Sequence, residues 1–104
     1  MKDIAKKSNT QYLLDKYKLQ ASKKFGQNFL IDLNTIKRIV ATTHIDKETC
    51  VIEIGPGIGA LSEQLAYHAG YVRCYEIDTR LKDLLKESLG EFTNIEVVFQ
   101  DFLT

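Results

Sequence analysis

The run Glu53-Ile54-Gly55-Pro56-Gly57-Ile58-Gly59-Ala60 sets three alternate glycines behind a carboxylate. Apolar Val51 and Ile52 precede it and an amphipathic stretch follows, so the glycines mark a strand-to-helix turn. Glycine permits a tight turn and lets a ligand approach the backbone where a Cβ would collide. The helix N-terminus behind the turn offers N–H groups without intrahelical partners. Two more carboxylates fall at corresponding places: Glu76, 21 residues after Gly55, closes a second apolar run, and Asp101 closes a third. In open parallel sheets, ligands bind along the carboxyl edge, and an acid at the Glu76 spacing grips ribose hydroxyls.

This constellation leaves two ligand classes open. Residues 55–60 satisfy Gly-x-Gly-x-x-Ala, which suits a dinucleotide. S-adenosylmethionine carries the same adenosine without phosphates. Three features favour it: the alternate glycines in place of a third at the later spacing, Glu53, and Asp101. Glu53 can orient the turn or face the ligand's cationic part, and Asp101 is placed to accept from an adenine amino group. The plain structural alternative is a turn that binds nothing.

The elements that must position these groups can be read outward from them. Thr49 to Ile54 reads as a buried strand, and Ala60 to Ala69 as a helix with Leu61 and Leu65 inward and Gly70 past its end. Tyr71 to Ile77 reads as a second strand. Asp78 caps the next helix, which carries Leu81, Leu84, Leu85 and Leu89 and stops at Gly90. Ile95 to Phe99 is a third strand. Upstream, Ser8, Asn9 and Thr10 offer caps for a short helix with Tyr12, Leu13, Leu14 and Tyr17. Residues 19–31 read as a loop, and Asp32 caps a helix placing Ile36, Ile39 and Val40 on one face. The β-α-β-α-β order implies an α/β fold with a parallel sheet of three strands, order 3-2-1, flanked by helices and preceded by an N-terminal helical arm: part of a Rossmann-like fold.

Composition narrows the classes further. The chain has 104 residues, 44% hydrophobic and 27% charged, with one proline, six glycines and zero net charge. That excludes collagen, coiled coil and disorder. The apolar runs are far short of the roughly 20 residues that cross a bilayer, so no membrane partner is expected. The zero charge hides an asymmetry: residues 1–24 hold seven lysines and two aspartates, net +5, and the remainder nets −5. We divide the chain accordingly into a basic arm, 1–24, and a body, 25–104. A basic arm points to an anionic partner. Cys50 and Cys74 are expected to be free thiols in apolar strand settings of a cytoplasmic protein. His44 and His68 show no metal spacing with them, so no metal site is expected.

Gln27-Asn28-Phe29-Leu30, then Val51 through Leu61, then Glu76-Ile77-Asp78 and Gln100-Asp101 closely resemble the small-subunit ribosomal RNA adenine N6,N6-dimethyltransferase family. The resemblance runs from about Lys23 onward. It implies S-adenosylmethionine as cofactor and transfer of methyl groups to the N6 amines of two adjacent adenines near the 3′ end of small-subunit rRNA, in the pre-30S particle. Position by position, it implies that Asn28 and Leu30, with Gln27, line the methionine end. Gly55 contacts the cofactor through its backbone beside Glu53, Gly57 and Gly59. Glu76 binds the ribose, Ile77 packs on the adenine, and Asp101, followed by Phe102, holds the adenine amine. Lys23 and Lys24 become candidate RNA contacts.

The family's catalytic Asn-x-Pro-Tyr/Phe element follows a fourth strand. The chain's one proline is Pro56, two residues after Ile54, so the element does not occur between Met1 and Thr104. It is expected beyond Thr104, and no catalytic residue is assigned. The expectation is an N-terminal half of a methyltransferase domain, inactive alone, whose first strand is open on one flank and invites self-association. The related erythromycin-resistance methyltransferases of the large subunit share Gln-Asn-Phe and the carboxylates and form the first alternative. An NAD-binding oxidoreductase domain is the second.

Overall fold

The computed structural model describes residues 1–19 and 32–103. Helix α1 spans Lys7–Lys16 and α2 Leu33–Thr43. Strand β1 (Cys50–Ile54) leads through the glycine turn into α3 (Ala60–Ala66). Strand β2 (Tyr71–Glu76) leads through a 3-10 turn (Thr79–Leu81) into α4 (Lys82–Leu89), and β3 (Ile95–Phe99) follows. The sheet order is β1-β2-β3, all parallel, with Val51 opposite Val72 and Val72 opposite Ile95. This is the expected three-stranded order. Among the described residues no helix is long and apolar enough to cross a membrane.

Local chemistry explains most boundaries. Asp32 accepts from the Thr35 N–H at 3.1 Å and starts α2, which ends where His44 turns left-handed at φ 53°. Asp78 accepts from the Arg80 N–H at 3.0 Å and starts the 3-10 turn rather than α4 itself. Helix α1 begins after Lys6, which makes no side-chain cap. Its expected caps lie inside it instead. Asn9 Nδ2 donates to the Lys2 and Asp3 carbonyls, and the Thr10 hydroxyl donates to the Ile4 carbonyl at 2.8 Å. Helix α3 stops at Ala66, short of Ala69, and Gly70 is small for a different reason from a helix cap. A Cβ there would lie 2.1 Å from the Lys47 carbonyl oxygen.

The core lies on one face of the sheet. Strands alternate their side chains between faces, so Val51, Glu53, Val72, Cys74, Glu76, Ile95, Val97 and Phe99 share the covered one. Ile36, Val40, Leu65, Ala66 and Ala69 pack there against Val72 and Cys74. A second cluster joins Ile4, Leu13 and Leu14 to Ile58, Leu81, Leu84, Leu85 and Leu89. The N-terminal segment expected as an arm therefore carries buried apolar side chains into the core. Three readings need correcting on this basis. Strand β1 is not buried on both faces: Ile52 is 55% and Ile54 65% exposed, because no described element covers that side. Cys50 shares that face and is exposed, whereas Cys74 is buried. Ile39 turns to solvent while Ile36 and Val40 are buried.

Candidate functional site

The carboxyl edge of the sheet gathers the glycine turn, the end of β2 and the end of β3. All three turn glycines have positive φ: 73° at Gly55, 60° at Gly57 and 96° at Gly59. L-residues with a side chain rarely adopt that region. The turn is tied down by Gly55 N–H donating to the Tyr75 carbonyl at 2.8 Å and Gly59 N–H donating to the Pro56 carbonyl at 2.9 Å. The glycines differ in what surrounds them. A Cβ on Gly55 would meet nothing within 4 Å, whereas one on Gly59 would lie 2.9 Å from the buried Leu89 side chain. Gly55 thus leaves its backbone open to a ligand, and Gly59 lets α3 approach α4.

Glu76 lies beside this opening, 3% exposed. Its Oε1 accepts from the Gly57 N–H at 3.3 Å and its Oε2 from the Asp78 N–H at 3.0 Å. A carboxylate carries about four lone-pair sites, so acceptor capacity remains for hydroxyl donors. Next in the chain, Ile77 is 51% exposed, an apolar surface at the edge rather than a core side chain. Gln100 N–H donates to the Glu76 carbonyl at 3.0 Å and brings Asp101 to the same edge. Asp101 is exposed, and its Oδ1 accepts from the Leu103 N–H at 2.9 Å. Phe102 packs edge-on against Tyr75, ring centroids 5.1 Å apart, on the sheet face away from the helices.

Glu53 is the third acid. Ser62 Oγ donates to its Oε1 at 2.5 Å, and Cys74 Sγ lies 3.8 Å from the same oxygen. Burial pushes the Glu53 carboxyl above the ordinary range. Ser62 and Cys74 oppose that rise, and the nearby Glu76 charge adds to it. Burial, followed by the Glu53 charge, pushes the Cys74 thiol up to about 12, so it remains an S–H group at neutral pH. Glu53, Gly55, Gly57, Glu76, Ile77 and Asp101 are therefore collected at one edge. Lys23, Lys24, Gln27, Asn28 and Leu30 lie outside the described residues, and so does Thr104, the position after which the catalytic element is expected.

Sequence reasoning passed over Ser62, Cys74 as a polar neighbour, and Glu63. Glu63 is fully buried. Its Oε1 accepts from the Ile4 N–H at 2.7 Å, and its Oε2 from the Asp3 N–H at 2.9 Å and the Tyr67 hydroxyl at 3.0 Å. Only Tyr67, four residues on, could have hinted at it, since an i, i+4 pair shares a helix face.

The edge suits an adenosine: acceptors for ribose hydroxyls, an apolar surface for the base and an exposed acid beyond it. A family model described as ribosomal RNA adenine dimethylase matches residues 18–104. The chain is 49% identical over 102 residues to ribosomal RNA small subunit methyltransferase A of Staphylococcus carnosus strain TM300, and 52% identical over 102 residues to the protein of that name in Staphylococcus aureus strain Newman. In both cases 98% of this chain is covered. It spans about a third of those relatives' length, 34% in each. Among solved structures, that of the 23S rRNA methyltransferase ErmE is 47% identical with a TM-score of 0.67, over 71% of this chain and 30% of that one. The glycine turn, its acidic edge and these matches together place the chain in the ribosomal RNA adenine dimethylase family.

Proposed function

We propose that this chain forms the cofactor-binding part of an S-adenosylmethionine-dependent rRNA adenine N6,N6-dimethyltransferase. The observation that carries this reading is the open Gly55 backbone beside the buried, acceptor-only Glu76. Glu76 would accept from the ribose hydroxyls, Ile77 would pack on the adenine ring, and Asp101 would accept from its amine. Glu53 would face the methionine end, whose lining the family resemblance also assigns to Gln27, Asn28 and Leu30. When bound, the cofactor supplies an electrophilic sulfonium methyl; the chain's own residues bind and orient it. A dinucleotide fits less well. Its pyrophosphate would face an edge carrying Glu53, Glu76 and Asp101, and the adjacent cation, Arg80, is engaged by Asp78 at 2.7 Å. Calorimetric titration with S-adenosylmethionine and then NAD tests this. Binding of the first alone is expected, and binding of NAD alone rejects it.

The relatives' names support small-subunit rRNA as the substrate, and the family resemblance extends the proposal to two adjacent adenines near its 3′ end, in a pre-30S particle of the cytoplasm, with Lys23 and Lys24 among the RNA contacts. The 47% identity to ErmE favours one second reading, a large-subunit methyltransferase of the resistance type. Methylation of small-subunit particles against large-subunit RNA by the full-length gene product separates them. The 104-residue chain itself lacks the Asn-x-Pro-Tyr/Phe element, so methyl transfer by it alone would reject its assignment as a binding part. The isolated chain self-associates through β1, which among the described residues pairs with β2 only and exposes Ile52 and Ile54. A sharp monomer in sedimentation, with slow amide exchange over residues 50–54, would count against that.

A further inference from the structure

Glu53 is held from behind the glycine turn, and Ser62 is the group that holds it. Ser62 and Cys74 are both fully buried. Ser62 Oγ lies 2.5 Å from Glu53 Oε1 and 3.6 Å from Cys74 Sγ, so hydroxyl, thiol and carboxyl form one compact polar cluster, in which Glu53 is half-buried. A carboxylate withdrawn from water needs donors or it takes up a proton. Among the described residues, the titratable groups facing Glu53 are Cys74 and Glu76, both on β2. Helix α3 turns no charge toward it, because its Glu63 is committed to Asp3, Ile4 and Tyr67. The thiol is a weak donor, which leaves the Ser62 hydroxyl as the strong one among the described residues.

We propose that Ser62 is a positioning residue for the cofactor site: its hydroxyl fixes the Glu53 carboxylate against the first turn of α3, where the acid sets the glycine turn and faces a cationic ligand. Ser62 lies on α3 while Glu53 is the penultimate residue of β1, so the same bond pins the helix to the strand that flanks the turn. The role in ligand binding rests on the S-adenosylmethionine reading; the hold on Glu53 does not.

The test follows the Glu53 side-chain carboxyl by carbon-detected NMR across pH in the wild-type chain, Ser62→Ala and Ser62→Thr, with calorimetric titration of S-adenosylmethionine at neutral pH. Losing one hydrogen bond to a charged group raises the Glu53 midpoint by about one to two pH units in Ser62→Ala, while Ser62→Thr restores it. The affinity for S-adenosylmethionine falls about three- to tenfold in Ser62→Ala and returns in Ser62→Thr. In a Glu53→Gln background Ser62→Ala has no further effect on affinity, because the hydroxyl acts through that carboxylate. If Ser62→Ala does not fold, Ser62→Cys gives an intermediate midpoint from its weaker donor. An unmoved midpoint overturns the proposal. A moved midpoint with unchanged affinity in Ser62→Ala overturns the positioning role. A moved midpoint in a wild-type chain that binds no S-adenosylmethionine overturns the cofactor reading instead and leaves the hold on Glu53 standing.

Discussion

Gly57 donates its backbone N–H to Glu76 across 3.3 Å, so a single carboxylate links the turn after β1 to the end of β2. The same group accepts from Asp78 at 3.0 Å. Glu76 is thus oriented by the fold itself before any ligand arrives, and its ribose contacts need little reorganisation. Hydrogen bonds to a charged group contribute roughly 1.5–3 kcal/mol each. Glu76→Ala is expected to weaken S-adenosylmethionine about 100-fold or more. Glu76→Gln, which keeps one acceptor oxygen, should lose about tenfold. Calorimetric titration of both variants checks the order.

The two outer glycines of the turn should separate stability from binding. Gly59→Ala puts a Cβ at φ 96° and 2.9 Å from buried Leu89. Strain and overpacking together cost about 2–3 kcal/mol, and urea unfolding should register it. Gly55→Ala meets no neighbour within 4 Å. It carries the conformational strain alone, about 1–2 kcal/mol, yet its methyl fills the space a ligand would take. Its stability should therefore exceed that of Gly59→Ala while its cofactor affinity is the lower of the two.

Glu63 fastens the N-terminal segment to α3. Glu63→Ala would strand the buried N–H of Ile4 together with those of Asp3 and the Tyr67 hydroxyl. Leaving such donors unpaired costs about 3 kcal/mol or more. Amide exchange should accelerate first at Asp3 and Ile4, because the loss is local before it is global. Unchanged exchange at those two amides would show that the segment is held by Leu13 and Leu14 packing instead.

How far each feature could be read in the sequence follows from the distance over which its cause acts. Asp32 and Asp78 bond N–H groups three and two residues away, so both caps were visible. The glycine turn and the β-α-β-α-β order are equally local. The acids at the ends of β1, β2 and β3 were found because parallel strands bring their carboxyl ends to one edge. The roles of Glu53 and Glu63 were not legible in full. Ser62 is nine residues from Glu53, and Ile4 is 59 from Glu63. Neither spacing has a meaning until the helices dock. The faces of β1 were misjudged for a related reason: an apolar run says that burial is possible, not which element supplies the cover.

Acid should act on two carboxylates in opposite directions. Glu87 accepts from Lys16 Nζ and from the Tyr17 hydroxyl, each at 2.6 Å, which joins α4 to α1. The Lys16 and Tyr17 donors hold the Glu87 carboxyl down at about 2, from an ordinary 4.5. The folded chain therefore binds that proton less readily than the unfolded one. The Glu87 contribution is present above pH 4.5 and is lost as pH falls toward 2. Glu53 is raised by burial. Its folded form holds the proton more tightly, so its burial weighs against the fold above its folded pKa and is relieved as pH falls through that value. Urea unfolding between pH 7 and pH 2 should show Glu87→Gln losing less stability on acidification than the wild type, and Glu53→Gln losing more. The Glu87 difference should shrink in 1 M salt because the side chain is 26% exposed, whereas the difference at the half-buried Glu53, which rests on desolvation rather than on an ion pair, should shrink less. Parallel curves for wild type and Glu87→Gln at low salt would show that the α1–α4 contact contributes nothing to acid stability.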